Sequence, residues 1–428
     1  MALAMYHLFA VTAPGLEAIT QQELATLGIL SSSRLITPSG VPKRVRPVPG
    51  EPPDPLTPSG VPKGMSLKSV RDTRTRFGCP KGQVSEEAGG IAFEAGLDGL
   101  YRANLHLRTA SRILVRLGEF YAAAFSELRK KATRLPWEEY LQPGQPVALR
   151  VTCHKSRLYH SDGAAERIAG AISDRLGRPV DLVKFEEGAP QFALVVARLV
   201  HDRCTISLDT SGALLHRRGY RLETAKAPLR ETLAAGMLLA SGWDAASPLI
   251  DPFCGSGTIP IEAALMARRI APGKNRRFAF MDWPNFDPAL WQAQLDAAIA
   301  CERPSPAAIT ASDRDAGAIR IAQANAGRAG VLEDIQFSCR AFSAIEPPAG
   351  SGWIVTNPPY GVRVSPAHDL RNLYSQLGSV LHSLCRGWHA GVLCSSDYLM
   401  GHAHLHLDGS QSFINGGIPV KLFTGMVR

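Results

Sequence analysis

Asp251-Pro252-Phe253-Cys254-Gly255-Ser256-Gly257-Thr258 closes a short apolar strand, Pro248 to Asp251, and opens the helix beginning Ile259-Pro260-Ile261-Glu262-Ala263-Ala264. Two glycines two apart let backbone approach a ligand closely, and Pro260 is tolerated in a first helical turn, where an N–H is not needed. The run lacks the third glycine of a dinucleotide fingerprint and the Gly-Lys-Ser/Thr of a phosphate loop, which disfavours hydride and phosphoryl chemistry. The same strand-helix alternation recurs downstream. Strands are expected at Ala308 to Ser312, Ile335 to Cys339, Gly352 to Thr356 and Gly391 to Ser395, with helices near 229–241, 259–270, 288–301, 315–329 and 369–385. This alternation predicts an α/β, mostly parallel, doubly wound sheet with ligands at the carboxyl ends of its strands.

Two further strand ends carry candidate chemistry. Asp313, in Ser312-Asp313-Arg314-Asp315, can accept both hydroxyls of a cofactor ribose, whereas Asp315 reads as the cap of the following helix. The 62 residues from Asp251 to Asp313 exceed the ~20 of a dinucleotide fingerprint. Asn357-Pro358-Pro359-Tyr360 follows the strand ending at Thr356. Two prolines have no N–H to donate, so they stop the sheet and hold a stiff loop with its carbonyls outward. Before a planar exocyclic amine can attack a methyl group, its lone pair must leave the ring's π system, and two acceptors on its N–H bonds favour that change. The Asn357 side-chain oxygen and the Pro358 carbonyl can supply both, and Tyr360 offers a face on which an extruded base can stack. A sulfonium donor leaves as a neutral thioether, so in-line positioning serves much of the catalysis without a metal. Alone, the four residues are compatible with an ordinary proline turn; after a glycine loop and a strand-end acid they point to a site.

The chain has 428 residues, 45% hydrophobic and 20% charged, enough apolar content for a large core and for two or three domains. Its net charge of +9 suits a polyanionic partner without establishing one. No apolar run approaches a membrane span, the N-terminus lacks the basic lead of a secretion signal, and a cytoplasmic protein is expected. Eight scattered cysteines with no C-x-x-C pair argue against a zinc site or disulfide framework. Residues 31–90 read as a disordered insert rich in Pro, Gly and Ser, in which Thr37 to Lys43 recurs as Thr57 to Lys63. From Arg34 to Lys81 it carries ten basic residues against three acidic, either a solvated linker or an arm that grips RNA. Tyr6 to Ala13, a helix over Gly15 to Leu27 and a long helix over Leu97 to Leu117 suggest a small α+β unit, with Arg108, Arg112 and Arg116 on one helical face. A second α+β module runs from Pro146 to Leu208, with a basic loop at Cys153-His154-Lys155-Ser156-Arg157.

The run Leu215-His216-Arg217-Arg218-Gly219-Tyr220-Arg221, then Ala227 to Ala235, then the glycine loop and Thr356-Asn357-Pro358-Pro359-Tyr360-Gly361, resembles the THUMP-domain RNA guanine-N2 methyltransferases. Asn104 to Arg112 and Leu158-Tyr159-His160-Ser161 fit the same family, and the likeness spans nearly everything outside residues 31–90. The resemblance implies a Rossmann-like seven-stranded methyltransferase domain at 211–428, a THUMP RNA-binding region at 95–210 and a ferredoxin-like segment at 1–94. It implies S-adenosylmethionine as cofactor and RNA as partner. Asp251, Gly255 and Gly257 would lie against the donor's methionine part and Asp313 against its ribose, within a cofactor set that includes Phe253, Ser256, Thr258 and Asn357. Asn357 to Tyr360 would hold the target amine. Many relatives carry an acid where this chain has Ala341, and no second methyltransferase domain is expected before the end at Arg428.

Lys155 and Arg157, with Arg217, Arg218 and Arg221, are candidate RNA contacts, although the last three serve equally well as a lock between modules. His402, His404 and His406 alternate as on a strand edge and suggest no metal. Trp283 and Trp291 are expected to pack the segment between the first two strands onto the sheet. The expected activity is N2-methylation of guanine, in large-subunit ribosomal RNA first and transfer RNA second. Rivals are an adenine-N6 or protein-glutamine methyltransferase, which use the same Asn-Pro-Pro-Tyr logic, and an RNA-binding assembly factor with a decayed donor pocket.

Overall fold

The computed structural model describes residues 5–30, 85–87, 89–185, 192–222, 229–360, 367–407 and 409–428. The sequence repeat and the basic part of the insert lie outside these residues, but strand structure resumes at Ser85, inside the expected insert. The N-terminal half contains β1 (Tyr6–Thr12), α1 (Glu17–Thr26), β2 (Ser85–Glu87), β3 (Gly90–Ala95), α2 (Leu97–His106), β4 (Ala110–Tyr121), α3 (Phe125–Ala132), β5 (Val147–His154), α4 (Ser161–Leu176), β6 (Leu182–Val183), β7 (Ala193–Val200) and β8 (Arg203–Asp209). They build one sheet in the order β2-β3-β1-β4-β8-β7-β5-β6, so the two N-terminal modules share their hydrogen bonding through β4 and β8.

The expected helix over Leu97 to Leu117 ends at His106, because Leu107 turns extended with ψ 125 and β4 begins three residues later. Arg108, Arg112 and Arg116 therefore do not form a solvated helical face. Arg112 is buried in an ion pair with Asp209, and Arg116 lies 4.5 Å over the Phe9 ring.

The C-terminal half comprises α5 (Glu231–Ala240), β9 (Leu249–Asp251), α6 (Thr258–Ala267), α7 (Pro288–Ala300), β10 (Ile309–Asp313), α8 (Ala316–Ala329), β11 (Ile335–Cys339), β12 (Trp353–Thr356), α9 (Ala367–Leu384), β13 (His389–Cys394), α10 (Asp397–Ala403), β14 (Gly409–Asn415) and β15 (Ile418–Met426). The sheet order is β11-β10-β9-β12-β13-β15-β14. The five strands β9 to β13 are parallel, and β15 and β14 complete the sheet antiparallel. Leu249, Ile250, Ile354, Val355, Val392 and Leu393 are all buried, as strands covered by helices on both faces require. Asp287 caps α7 and Asp315 caps α8, each accepting an N–H of its helix's first turn. The strand order reverses between β9 and β12, which is where an open α/β sheet leaves a crevice.

The halves are packed together. Leu16 and Ile19 of the α1 region join the core of α5 and α6. Gly15 approaches β14 so closely that a Cβ would stand 1.9 Å from the Ser412 carbonyl oxygen, and its φ of 93 also favours glycine. Trp283 and Trp291 lie in the N-terminal core and not on the methyltransferase sheet, with Trp291 edge-on to Tyr101 and Trp283 edge-on to Tyr140. The segment between β9 and β10 thus clasps the N-terminal half, because the aromatic faces of Tyr101 and Tyr140 offer it more apolar area than a sheet already covered by helices.

Candidate active site

β9 and β12 are neighbours, so the glycine loop and the Asn-Pro-Pro-Tyr loop leave the sheet side by side. Thr356, the last residue of β12, donates its hydroxyl to Asp251 Oδ1 at 2.7 Å, and the Phe253 N–H reaches the same oxygen at 3.2 Å. Asp251 Oδ2 is buried with no partner among the described residues. Burial pushes the Asp251 carboxyl up to about 7, and the nearby Asp313 charge adds to the rise, against the hydrogen bonds of Thr356 and Phe253.

Asp313 ends β10 and organises the loop from the other side. Its Oδ2 accepts the Gly255 N–H at 3.0 Å and its Oδ1 accepts the Asp315 N–H at 3.0 Å. Gly255 has φ 52, and a Cβ there would meet nothing within 4 Å, so the loop faces open space at that point. Gly257 serves packing instead: at φ 84, a Cβ on it would be 2.9 Å from Ala322 Cβ of α8. The Ser256 carbonyl accepts Asn325 Nδ2 at 3.0 Å, and the buried Thr258 hydroxyl accepts Arg221 Nη2 at 2.8 Å. Ser256 and Thr258 are thereby tied inward. Phe253 stacks on Phe342 with centroids 5.0 Å apart, which places an aromatic pair beside Ala341, where the sequence lacks an acid.

Asn357 Oδ1 is buried and accepts no hydrogen bond among the described residues. Pro358 is buried, and Tyr360 is half-buried between the two cores of this half. The Tyr360 hydroxyl accepts Asn415 Nδ2 at 2.9 Å, so the β14-β15 hairpin fixes the ring. Gln411 of the same strand donates to the Gly15 carbonyl at 2.8 Å, joining that hairpin to the N-terminal half. Two buried acceptors without a partner among the described residues, Asp251 Oδ2 and Asn357 Oδ1, lie at the carboxyl ends of the neighbouring strands β9 and β12, and buried acceptors carry a cost unless a donor arrives. An ammonium and a planar amine are donors of the required kind.

Family models match three parts of the chain: an RlmL ferredoxin-like domain at residues 75–114, a THUMP domain at 122–209, and an RMKL-like methyltransferase domain at 218–408. A Synechocystis protein carrying the provisional name RNA methyltransferase is 36% identical over 342 residues, 79% of this chain and 89% of that one. The chain belongs to the RMKL-like, THUMP-domain methyltransferase family. Another member, the ribosomal RNA large subunit methyltransferase K/L of Shewanella baltica, is 37% identical over 373 residues, 84% of this chain but 51% of that protein. The chain thus spans about half the length of its K/L relatives. A provisionally named methyltransferase crystallised with S-adenosylhomocysteine superposes with a TM-score of 0.80 at 27% identity, covering 100% of this chain and 99% of its own. A predicted N6-adenine-specific DNA methylase from Listeria monocytogenes gives a TM-score of 0.78 at 29% identity, covering 99% and 97%.

In this methyltransferase the five basic RNA candidates separate. Lys155, Arg157 and Arg217 are exposed. Arg218 is buried and bridges the two halves through the Arg108 carbonyl, whereas the partners of Arg221 all lie within the C-terminal half. Arg218 pairs with Glu262 and donates to the carbonyls of Leu215 and Arg108, while Arg221 pairs with Glu231 and holds the Leu229 carbonyl and Thr258. Buried carboxylates outcompete solvent for these guanidinium groups because their own burial demands a countercharge. His402 lies within α10 and His404 is its left-handed cap at φ 51, so the three histidines do not line a strand. Asn415 was missed by sequence reasoning. Its signal was Asn415-Gly416-Gly417 between apolar residues, a hairpin turn with φ 57 and 85 at the two glycines.

Proposed function

We propose that this chain transfers a methyl group from S-adenosylmethionine to the N2 amine of a guanine in large-subunit ribosomal RNA. The observation that carries the reading is the buried Asn357 Oδ1 beside two prolines, unpartnered among the described residues and joined through Thr356 to Asp251. The membership of the K/L proteins in the same family supports the choice of RNA. The donor supplies, when bound, an electrophilic methyl on a cationic sulfur. Asp251 Oδ2 and the open backbone at Gly255 suit its amino acid end, and Asp313 suits its ribose. Asn357 Oδ1 and the Pro358 carbonyl accept the two N–H bonds of the guanine amine, which localises the nitrogen lone pair for attack. Tyr360 stacks the extruded base, which is cheapest to extrude from a loop or an unfolded precursor. Incubation with labelled donor and, separately, large-subunit ribosomal RNA, transfer RNA, DNA and protein, followed by mass spectrometry of the products, tests this. N2-methylguanosine from the ribosomal RNA is expected. Methylated adenine or glutamine, or product from transfer RNA alone, overturns the assignment.

The raised Asp251 carboxyl gives a pH signature. A cationic amino group binds the ionised form, which is the minority form below pH about 7. Binding there must first release a proton, so affinity falls as pH falls, approaching tenfold per unit. Calorimetry with S-adenosylhomocysteine should show roughly tenfold weaker binding at pH 6 than at pH 8 in wild type and a flat profile in Asp251→Asn. A flat wild-type profile removes Asp251 from the cofactor site.

Asn415→Ala frees the Tyr360 hydroxyl at the cost of about 0.5–1.5 kcal/mol, up to roughly a tenfold drop in kcat. Because Asn415 acts through Tyr360, Asn415→Ala and Tyr360→Phe should be non-additive in a double variant. Losses that simply add would show that Asn415 does not position the tyrosine.

A further inference from the structure

On the THUMP-matched sheet, two tight turns come together around Asp202. Val200 pairs with Arg203, so His201 and Asp202 form a two-residue hairpin, with φ 50 and 62. Lys155, just after β5, is also left-handed at φ 47. Three non-glycine residues in this conformation within one cluster mark strain that the surroundings must hold in place. Asp202 supplies that hold: its Oδ1 accepts the Arg157 N–H at 2.6 Å, its Oδ2 accepts the Tyr121 hydroxyl at 3.2 Å, and its own N–H reaches Ser156 Oγ at 3.0 Å. The Ser156 hydroxyl in turn donates to the His154 carbonyl at 3.1 Å.

The loop so stiffened presents an aromatic side chain that the fold does not cover. Tyr159 is 71% exposed, although the neighbouring Leu158 is buried and anchors the segment. The His160 ring lies 4.1 Å from the Tyr159 ring and limits its motion. Lys155 and Arg157 precede Tyr159 in the same exposed loop; the Arg157 side chain is 73% exposed, with its Nε 3.7 Å from Asp202 Oδ2. A large exposed ring gains burial when a flat partner arrives. Cations flanking an exposed ring fit a polyanion whose units carry π faces.

We propose that Tyr159 is a stacking platform for an unpaired RNA base, with Lys155 and Arg157 on the adjoining phosphates. The platform rests on the RNA reading above and adds a preference for single strands, since a duplex hides the base faces.

Full-length protein without methyl donor is titrated by fluorescence anisotropy against a labelled single-stranded RNA and against a duplex of the same length, over a salt series. Single strands should bind more tightly. Stacking of one base corresponds to about 1–3 kcal/mol, so Tyr159→Ala should weaken single-strand binding about five- to hundredfold while leaving the salt slope unchanged. Tyr159→Phe should bind like wild type. Lys155→Ala should instead reduce the slope by about 0.7 and weaken both forms of RNA. Lys155 and Tyr159 are exposed, and circular dichroism of each variant checks that the fold is kept. Wild-type affinity in Tyr159→Ala, equal losses for strand and duplex, or a Tyr159→Phe defect matching Tyr159→Ala overturns the platform. N2-methylguanosine produced by Tyr159→Ala with unchanged RNA affinity would sink this inference while leaving the enzymatic reading intact.

Discussion

Asn357→Ala is expected to lose about 10²–10³-fold in kcat, the range found when one pre-organised polar contact to a developing charge is removed. S-adenosylhomocysteine affinity and folding should be unchanged. The side-chain oxygen accepts no hydrogen bond among the described residues, so truncation removes a buried orphan instead of breaking a contact described there. The loop itself is held by other means: the Thr356 hydroxyl on Asp251, the stiffness of Pro358 and Pro359, and Tyr360 on Asn415. The loss should fall on kcat and not on the Michaelis constant for RNA, because the amine's hydrogen bonds strengthen as its lone pair localises and are weaker in the ground state. Single-turnover methylation, with donor and RNA both saturating, reads this directly. Turnover within a few-fold of wild type would mean that lone-pair localisation is performed elsewhere.

The parallel sheet was legible because its information is local. β9, β12 and β13 are short, buried, largely apolar runs, the edge strand β11 is only partly buried, and each of the five expected strands lies within two residues of the observed one at its ends. Asp315 was legible as a cap for the same reason. Two misreadings and one open alternative arose where two periods coincide or where partners are distant. Arg108, Arg112 and Arg116 are four apart, a spacing that shares a face on a helix and also on a strand, and no glycine or proline marks the break after His106. Trp283 and Trp291 pack against Tyr140 and Tyr101, more than a hundred residues away, which no local pattern records. Arg218 and Arg221 have the composition of an RNA-binding patch, and only their buried partners Glu262 and Glu231 reveal a different role. In the candidate site, Asp313 and Asn357 stand out at strand ends, whereas a role for Asp251 comes from the family resemblance. Tyr360's partner could not be found in this way, because Asn415 belongs to a hairpin that the strand-helix alternation does not anticipate.

The buried charges between the halves carry the largest expected effect on stability. Glu262 is wholly buried and is shared by three groups: Arg218 Nε at 3.4 Å, the Tyr220 hydroxyl at 3.0 Å and Arg108 Nη1 at 3.9 Å. Arg108 crosses from the N-terminal half to place Nη2 on the Ile270 carbonyl at 2.6 Å, and Glu23 of α1 accepts its backbone N–H at 2.9 Å. Glu262 therefore neutralises two guanidinium groups that the fold has already removed from water. Glu262→Gln keeps the shape and one acceptor but removes the countercharge that both cations share, leaving only Glu23 near Arg108 and Glu231 near Arg218, and breaking a buried pair in this way costs about 3–5 kcal/mol. Tyr220→Phe removes one hydrogen bond and no charge, for about 0.5–1.5 kcal/mol. Guanidinium unfolding followed by tryptophan emission should order the three proteins accordingly. Because the lock spans both halves, Glu262→Gln should also separate their transitions, with the N-terminal half reporting through Trp137 and the C-terminal half through Trp353 and Trp388. Equal stability of Glu262→Gln and Tyr220→Phe would show that the charge on Glu262 does not hold the halves together, and a single unchanged transition in both would place the coupling in the apolar contacts of Leu16 and Ile19.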